Sequence, residues 1–296
     1  MTVFSRVAAT RSFSAAAREL GISQATASKH VQMLESWLGA RLLNRTTRRV
    51  SLTEIGETFH AQCIRILDDL ETARQAGRPE TRLRGSLRFT APVSIGCTLL
   101  GPLLVAFMQQ NPDLSLHVTL VDRSVDVIEE GYDLALQVME GGAKDAELPG
   151  MALHSLMSMP FIVCAAPSYL AQAGMPQTPT DLTRHACLTD NRHPGDMWHF
   201  SGVDGEIEVS VPGRLKCDNG LLRRDAARAG AGVLLAPALL LVDDIAAGRL
   251  VPLLPDYRPQ VSTLFAVCPA SRAALPKLRS LIGFLADRLA GGPPGT

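Results

Sequence analysis

Between Ser12 and Gly39 the chain reads SFSAAARELGISQATASKHVQMLESWLG, a run that dictates two short helices meeting at a tight turn. Ser12 and Ser23 each precede apolar positions at helical spacing and read as N-caps, and Gly21 supplies the stop between the helices. The first helix turns Phe13, Ala16, Ala17 and Leu20 toward a core. On the second, Ala27, Val31, Leu34 and Leu38 recur at spacings of four, three and four, which sets them on one face ahead of Gly39. The opposite face begins with Gln24, Thr26, Ser28 and Lys29, with no carboxylate among them. Such side chains at an exposed helix start suit base edges and phosphates in a DNA major groove.

A helical hairpin buried in an ordinary core would show the same small residues, so the next segment matters. In ARLLNRTTRRVSLTEIG, the apolar Leu42, Leu43, Val50 and Leu52 flank Arg45, Thr46, Thr47, Arg48 and Arg49. This predicts a short hairpin with a basic tip, a wing whose guanidinium groups gain from the phosphate field; a solvated charge run is the alternative. The formal net charge of the whole chain is zero, yet residues 1–52 carry eight basic and two acidic side chains, +6, balanced by −6 in the rest. Charge is concentrated where the motif is.

From Ser12 to Gly56, SFSAAARELGISQATASKHVQMLESWLGARLLNRTTRRVSLTEIG, the chain resembles the winged helix-turn-helix of LysR-type transcriptional regulators. The resemblance implies double-stranded DNA as a partner, contacted by Ser23, Gln24, Thr26, Ser28 and Lys29 and by the wing residues Arg45, Thr46, Thr47, Arg48 and Arg49. Two departures stand out. Ile55 occupies a position where the family usually has Ala, and the start at MTVFSRVAAT leaves the first helix about two turns short of the usual one. A chain whose N-terminal part had lost DNA contact would be a small-molecule binding module alone, and a gel shift discriminates the two.

After the wing, Thr53 can cap a helix through Ile55, Phe59, Ile66, Leu70 and Ala73 to about Gly77. Such a rod, roughly 36 Å long, is too one-sided to stand alone. In the LysR family this segment pairs with its copy, which implies a homodimer and, beyond it, a homotetramer. Arg78 to Arg84, with Pro79, reads as a hinge. From Gly85 the pattern turns to alternating strands (GSLRFTAP, LSLHVTLVD, YDLALQV, PFIVCAAP) separated by helical runs such as Thr98 to Gln110, which predicts a largely parallel sheet. EIEVSVPGRLKCD, a helix from Leu221 to Ala229, GVLLAP, a helix around Ala238 to Ile245, VSTLFAVCP and a helix from Leu275 to Ala290 repeat the idea. The expected fold is therefore α/β: a winged helix-turn-helix (1–56), a linker helix and hinge (57–84), then a two-lobed effector domain (85–296). By resemblance that domain is akin to periplasmic solute-binding proteins, with lobe I about 85–162 plus 266–290 and lobe II about 163–265.

Ligands in such sheets bind beyond strand ends and at helix N-termini, which favour anions. That rule selects Ser94, Gly96 and Thr98 in APVSIGCTLL, then Ser124, and Asp218 and Asn219 ahead of a helix; Trp198 is a wall candidate. A small carboxylate is the expected effector. Helix capping is the competing account of Ser94 and Thr98, and a structural Trp that of Trp198. Gln137 stands where the family often has Arg, removing one positive charge. Cys63, Cys97, Cys164, Cys187, Cys217 and Cys268 show neither C-x-x-C spacing nor clustered His, and Cys187 alone suggests redox sensing. The loop histidines His185, His193 and His199 have no spaced carboxylates, and no catalytic motif is present, so the chain is expected to be a non-enzyme without a cofactor. No apolar run of about 18 residues and no signal-peptide pattern is found, which predicts a cytoplasmic protein without a membrane partner.

Overall fold

The computed structural model describes residues 1–45, 50–75, 83–140, 148–192, 196–203 and 205–290. They form two compact units, Met1–Gly85 and Ser86–Thr296. In the first, α1 (Thr2–Thr10), α2 (Phe13–Glu19) and α3 (Gln24–Leu38) precede a hairpin of β1 (Leu43–Arg45) and β2 (Val50–Leu52), then α4 (Glu54–Gln75). The caps are where the sequence puts them. Ser12 Oγ accepts from Ala15 N at 3.2 Å and Ser23 Oγ from Thr26 N at 3.0 Å, while Gly39 takes the left-handed conformation that ends α3 (φ 67°). Phe4, Val7, Ala16, Val31, Leu42, Leu43 and Cys63 form the core. Phe4 and Val7 belong to α1, so even a short first helix is anchored, each fully buried large side chain contributing about 1.5–3 kcal/mol.

The join between hairpin and α4 is tight. The Thr53 hydroxyl donates to Arg41 O at 2.7 Å and accepts from Gly56 N at 2.9 Å, and Glu35 Oε1 accepts from Leu42 N and Leu43 N at 2.8 and 3.1 Å. A Cβ on Gly56 would lie 1.9 Å from Leu42 O. The wing strands pair antiparallel with Leu43 opposite Leu52, and the tip, residues 46–49, lies outside the described residues.

The second unit runs β3 (Gly85–Ala91), α5 (Val93–Ile95), a π turn (Gly96–Leu100), α6 (Gly101–Gln110), β4 (Leu114–Leu120), β5 (Leu134–Glu140) and β6 (Met151–Met159). It continues with β7 (Phe161–Ala165), α7 (Pro167–Ala173), β8 (Cys187–Thr189), β9 (Met197–Gly202), β10 (Gly205–Ser210), β11 (Gly213–Lys216), α8 (Gly220–Arg228) and β12 (Val233–Pro237). Then come α9 (Val242–Ala246), β13 (Val251–Leu253), β14 (Arg258–Pro259), β15 (Ser262–Pro269) and α10 (Pro276–Leu289). One five-stranded sheet has the order β4-β3-β5-β15-β6 and the other β11-β8-β12-β7-β13, so the chain changes lobes at Pro160 and returns with β15. A small sheet, β10-β9-β14, completes lobe II.

The sheets are mixed, not largely parallel. β3–β5 and β8–β12 pair parallel, whereas β15 runs antiparallel to both β5 and β6, and β7 antiparallel to β12 and β13. The strands that carry the chain between lobes enter from the opposite end, which apolar alternation cannot register. β15 is buried along its whole length, and β7 sends Val163 and Ala165 into one cluster and Cys164 into another, which explains its unbroken apolar run.

The sequence also hides a long apolar helix. Val93–Gln110, of 18 residues and mean hydropathy 1.5, has the length and mean composition of a membrane span without being an unbroken apolar run. Gly96, Thr98, Gly101 and Pro102 interrupt its apolar pattern, and the π turn interrupts its geometry. Ile95, Leu99, Leu100 and Phe107 are buried in the lobe, with Phe107 5.3 Å from Phe284 of α10. A Cβ on Gly96 would meet Leu120 Cδ2 at 2.3 Å, so this glycine seats the helix against β4.

Gly56→Ala should destabilise the first unit by about 2–4 kcal/mol, since backbone must move to admit the methyl group. Gly101→Ala, with nothing within 4 Å of its Cβ, should be neutral or stabilising by up to about 1 kcal/mol. Urea denaturation of the two variants measures both.

Candidate functional site

Two surfaces collect the residues singled out by sequence. The first is the start of α3. Ser23, Gln24 and Lys29 are exposed and Thr26 and Ser28 half-buried, while Ala27 and Val31 face the core. The Thr26 hydroxyl pairs with Ser23 Oγ at 2.7 Å, so both serve the cap as well as the surface. Arg45 ends β1, and Thr46, Thr47, Arg48 and Arg49 lie outside the described residues.

The second is a cavity of about 390 Å³ between the two sheets of the second unit, within the range of small-molecule sites. Ser94, Ser124, Trp198 and Asp218 line it. Gly96, Thr98 and Asn219 do not. Gly96 is committed to Leu120, Thr98 is exposed, and Asn219 caps α8, its Oδ1 accepting from Leu222 N at 3.0 Å. Trp198 is both wall and structure, since it lines the cavity and packs with Val163 and Phe200 in the lobe II core.

The cavity's polar centre was not visible in the sequence. Asp190 Oδ2 accepts from Arg192 Nη2 at 2.5 Å and from Arg223 Nη2 at 2.9 Å. Burial pushes the Asp190 pKa up, but the two guanidinium groups and the Arg192 amide outweigh it and hold the carboxyl below its usual range. Arg223, on the first turn of α8, has its own pKa lowered by burial despite Asp190. Asp122 Oδ1 accepts from Val93 N at 3.0 Å and Oδ2 from Asn219 Nδ2 at 2.8 Å. The start of α5, where an anion was expected, is thus already served by a carboxylate of the chain itself. Gln137 lines the cavity, and positive charge enters instead from Arg223 on the opposite lobe.

The redox and loop-histidine readings change on the same geometry. Cys187 is fully buried, its Sγ 3.7 Å from Leu182 O and 3.6 Å from His185 O, and burial pushes the thiol up to about 12. A thiol so protonated is a poor redox sensor. His185 is buried, with Nδ1 3.1 Å from Tyr169 Oη, and His199 sits on β9, 3.4 Å from Glu208, so neither is a solvated loop residue. His193 lies outside the described residues.

Comparison with known proteins places these two surfaces in context. Residues 1–57 match the family described as bacterial regulatory helix-turn-helix protein, lysR family, and residues 80–290 match the LysR substrate binding domain. The probable HTH-type transcriptional regulator LtrA of Klebsiella pneumoniae is 32% identical, over 97% of this chain and 93% of its own length. The HTH-type transcriptional regulator DmlR of Escherichia coli K12 is 33% identical, over 96% and 92%. Among solved structures, CrgA of Neisseria meningitidis, a LysR-type transcriptional regulator, aligns with 30% identity and a TM-score of 0.62 over 97% of both chains.

Burial pushes the His185 pKa below its free value of 6.5, with Arg184 adding to this and Asp181 opposing it. The unfolded chain therefore takes up the proton first. The stability His185 contributes is present above pH 6.5 and lost as pH falls toward the lower folded value. The melting temperature should drop between pH 7.5 and 5.5, and His185→Gln should flatten that slope; an unchanged slope would refute this role.

Proposed function

Because the chain belongs to the LysR family of transcriptional regulators, we propose how its own residues divide the work of that family, a DNA-binding regulator whose promoter binding responds to a small molecule. The protein is not an enzyme; its relatives are transcriptional regulators. Residues 1–56 read DNA, 57–84 link and pair subunits, and 85–296 sense the effector. In the major groove, Gln24 and Ser28 read base edges, with Ser23, Thr26 and Lys29 beside them. Arg45, Thr46, Thr47, Arg48 and Arg49 run along the backbone as the wing. The observation that carries this reading is the start of α3, capped by Ser23, exposed, polar and free of carboxylates.

LysR regulators act as oligomers, and this chain offers a surface for each contact. Exposed Ile55, Ile64, Ile66 and Leu70 on α4 suit pairing with a second copy. Val105 and Met108 of α6 and Val118 and Leu120 of the edge strand β4 suit a further contact, which gives a tetramer. The effector, a small carboxylate, lies in the cavity lined by Ser94, Ser124, Trp198 and Asp218. The regulator works in the cytoplasm, where its DNA is.

Replacing Gln24 and Ser28 by Ala should relax sequence preference, each lost base contact being worth about 1–3 kcal/mol. Arg48→Ala should weaken binding to all sequences alike and reduce the slope of log affinity against log salt by about one. Fluorescence anisotropy on the promoter region beside the protein's own gene, against random duplex, measures both. Equal losses on specific and random DNA for the first pair would overturn the docking proposed.

A further inference from the structure

Three residues that line the effector cavity, Thr90, Thr189 and Arg223, carry a buried polar side-chain atom without a hydrogen-bond partner among the described residues, and of these Thr189 lies against Asp196. Thr90 Oγ1 lies at the end of β3 in lobe I, on a residue 3% exposed, and Arg223 Nε on α8 in lobe II, on a residue 9% exposed. Arg223 spends its Nη2 on Asp190, at 2.9 Å, but Nε has no acceptor among the described residues. A buried donor left unpaired costs about 1–3 kcal/mol, so a ligand that brings an oxygen to these two groups relieves a cost the fold carries.

The neighbours limit how much charge that ligand can bring. Arg192 and Arg223 face Asp122, Asp190 and Asp218 in the same cavity. Arg123 is held by Glu130 and Lys216 by Asp196, so neither offers a spare cation. The amide of Val93, which opens α5, already donates to Asp122 at 3.0 Å. A second carboxylate seated there would meet a like charge in a partly desolvated site. Leu136, Met159, Phe161, Trp198 and Leu235 supply the apolar part of the wall.

We propose that the cavity selects a monocarboxylate with an apolar or aromatic body, its carboxylate held between Arg223 and Thr90, and rejects dicarboxylates through Asp122. The proposal rests on the cavity being the effector site. It moves the anchor away from the start of α5, and it assigns a specificity role to Arg223, Thr90 and Asp122. Charge-assisted bonds to a buried guanidinium make the acid preferable to its neutral amide.

The test uses the full chain carrying Trp37→Phe, which leaves Trp198 as the sole tryptophan of the original two. Trp37 is 75% exposed and belongs to the other compact unit, so the substitution spares the cavity. Benzoate, benzamide and terephthalate are titrated by calorimetry and by Trp198 fluorescence. Benzoate should bind and change the emission, with benzamide and terephthalate at least about tenfold weaker. Arg223→Leu should weaken benzoate by at least about tenfold, and Thr90→Val provides the same test should that variant fail to fold. Asp122→Asn should narrow the gap between terephthalate and benzoate. Benzoate binding that leaves Trp198 emission unchanged would show that the cavity is not the site, and the effector reading would fail with the proposal. An emission change that persists undiminished in both Arg223→Leu and Thr90→Val would overturn the anchor alone. Terephthalate or benzamide binding as tightly as benzoate, or no binding by any of the three, would overturn the proposed ligand class.

Discussion

Asp122 stands where the two lobes of the effector unit meet, and the cavity depends on it. Its carboxylate accepts from Val93 N in lobe I and from Asn219 Nδ2 in lobe II, and its main-chain oxygen accepts from Arg192 Nη1 at 3.0 Å. Asn219 is also the N-cap of α8, so the same residue that reaches Asp122 sets the first turn on which Arg223 sits. Arg223 and Arg192 share Asp190. Helix start, cap and ion pairs thus form one connected network, and its members fix each other's positions more firmly than isolated pairs would.

The DNA-reading unit uses the same device in a smaller form. Glu35, on α3, accepts from two successive main-chain amides at the root of the wing, Leu42 and Leu43. Helix and wing are thereby fixed to each other, and the absence of a side chain on Gly56 lets Leu42 O lie against the start of α4. In each unit a carboxylate that accepts from backbone N–H, two groups for Glu35 and one for Asp122, ties together the elements to which ligand contact is assigned in the proposed function. Such charge-assisted bonds are about twice as strong as neutral ones.

The helix-turn-helix was legible because its determinants are local. Caps at Ser12 and Ser23, left-handed Gly21 and Gly39, and the Ala27–Val31–Leu34–Leu38 face act within a few residues. The strands of both lobes were legible as apolar runs, but their direction was not. β15 pairs with β5 and β6 across separations of more than a hundred residues, and nothing in its composition states which way it runs. The cavity shows the same divide. Ser94, Ser124 and Asp218 follow from the rule that ligands sit beyond strand ends and at helix N-termini, and Trp198 is a separate wall candidate, whereas Arg223, Asp190 and Thr90 acquire meaning only when α8, the end of β8 and the end of β3 converge. Gly96 and Thr98 were selected by the same rule yet turn to packing and to solvent, because a short helical segment followed by a π turn does not present successive residues to one side.

The central claim is that occupancy of the cavity and affinity for the promoter are coupled. Thermodynamic linkage requires that coupling to be reciprocal. The most direct measurement is the dissociation constant of a ligand that changes Trp198 emission, taken on the full chain free and again when saturated with promoter DNA. A regulator predicts two values differing by about 5- to 150-fold, with the DNA affinity shifted by the same factor when the ligand is present. Identical values with and without DNA would contradict the account.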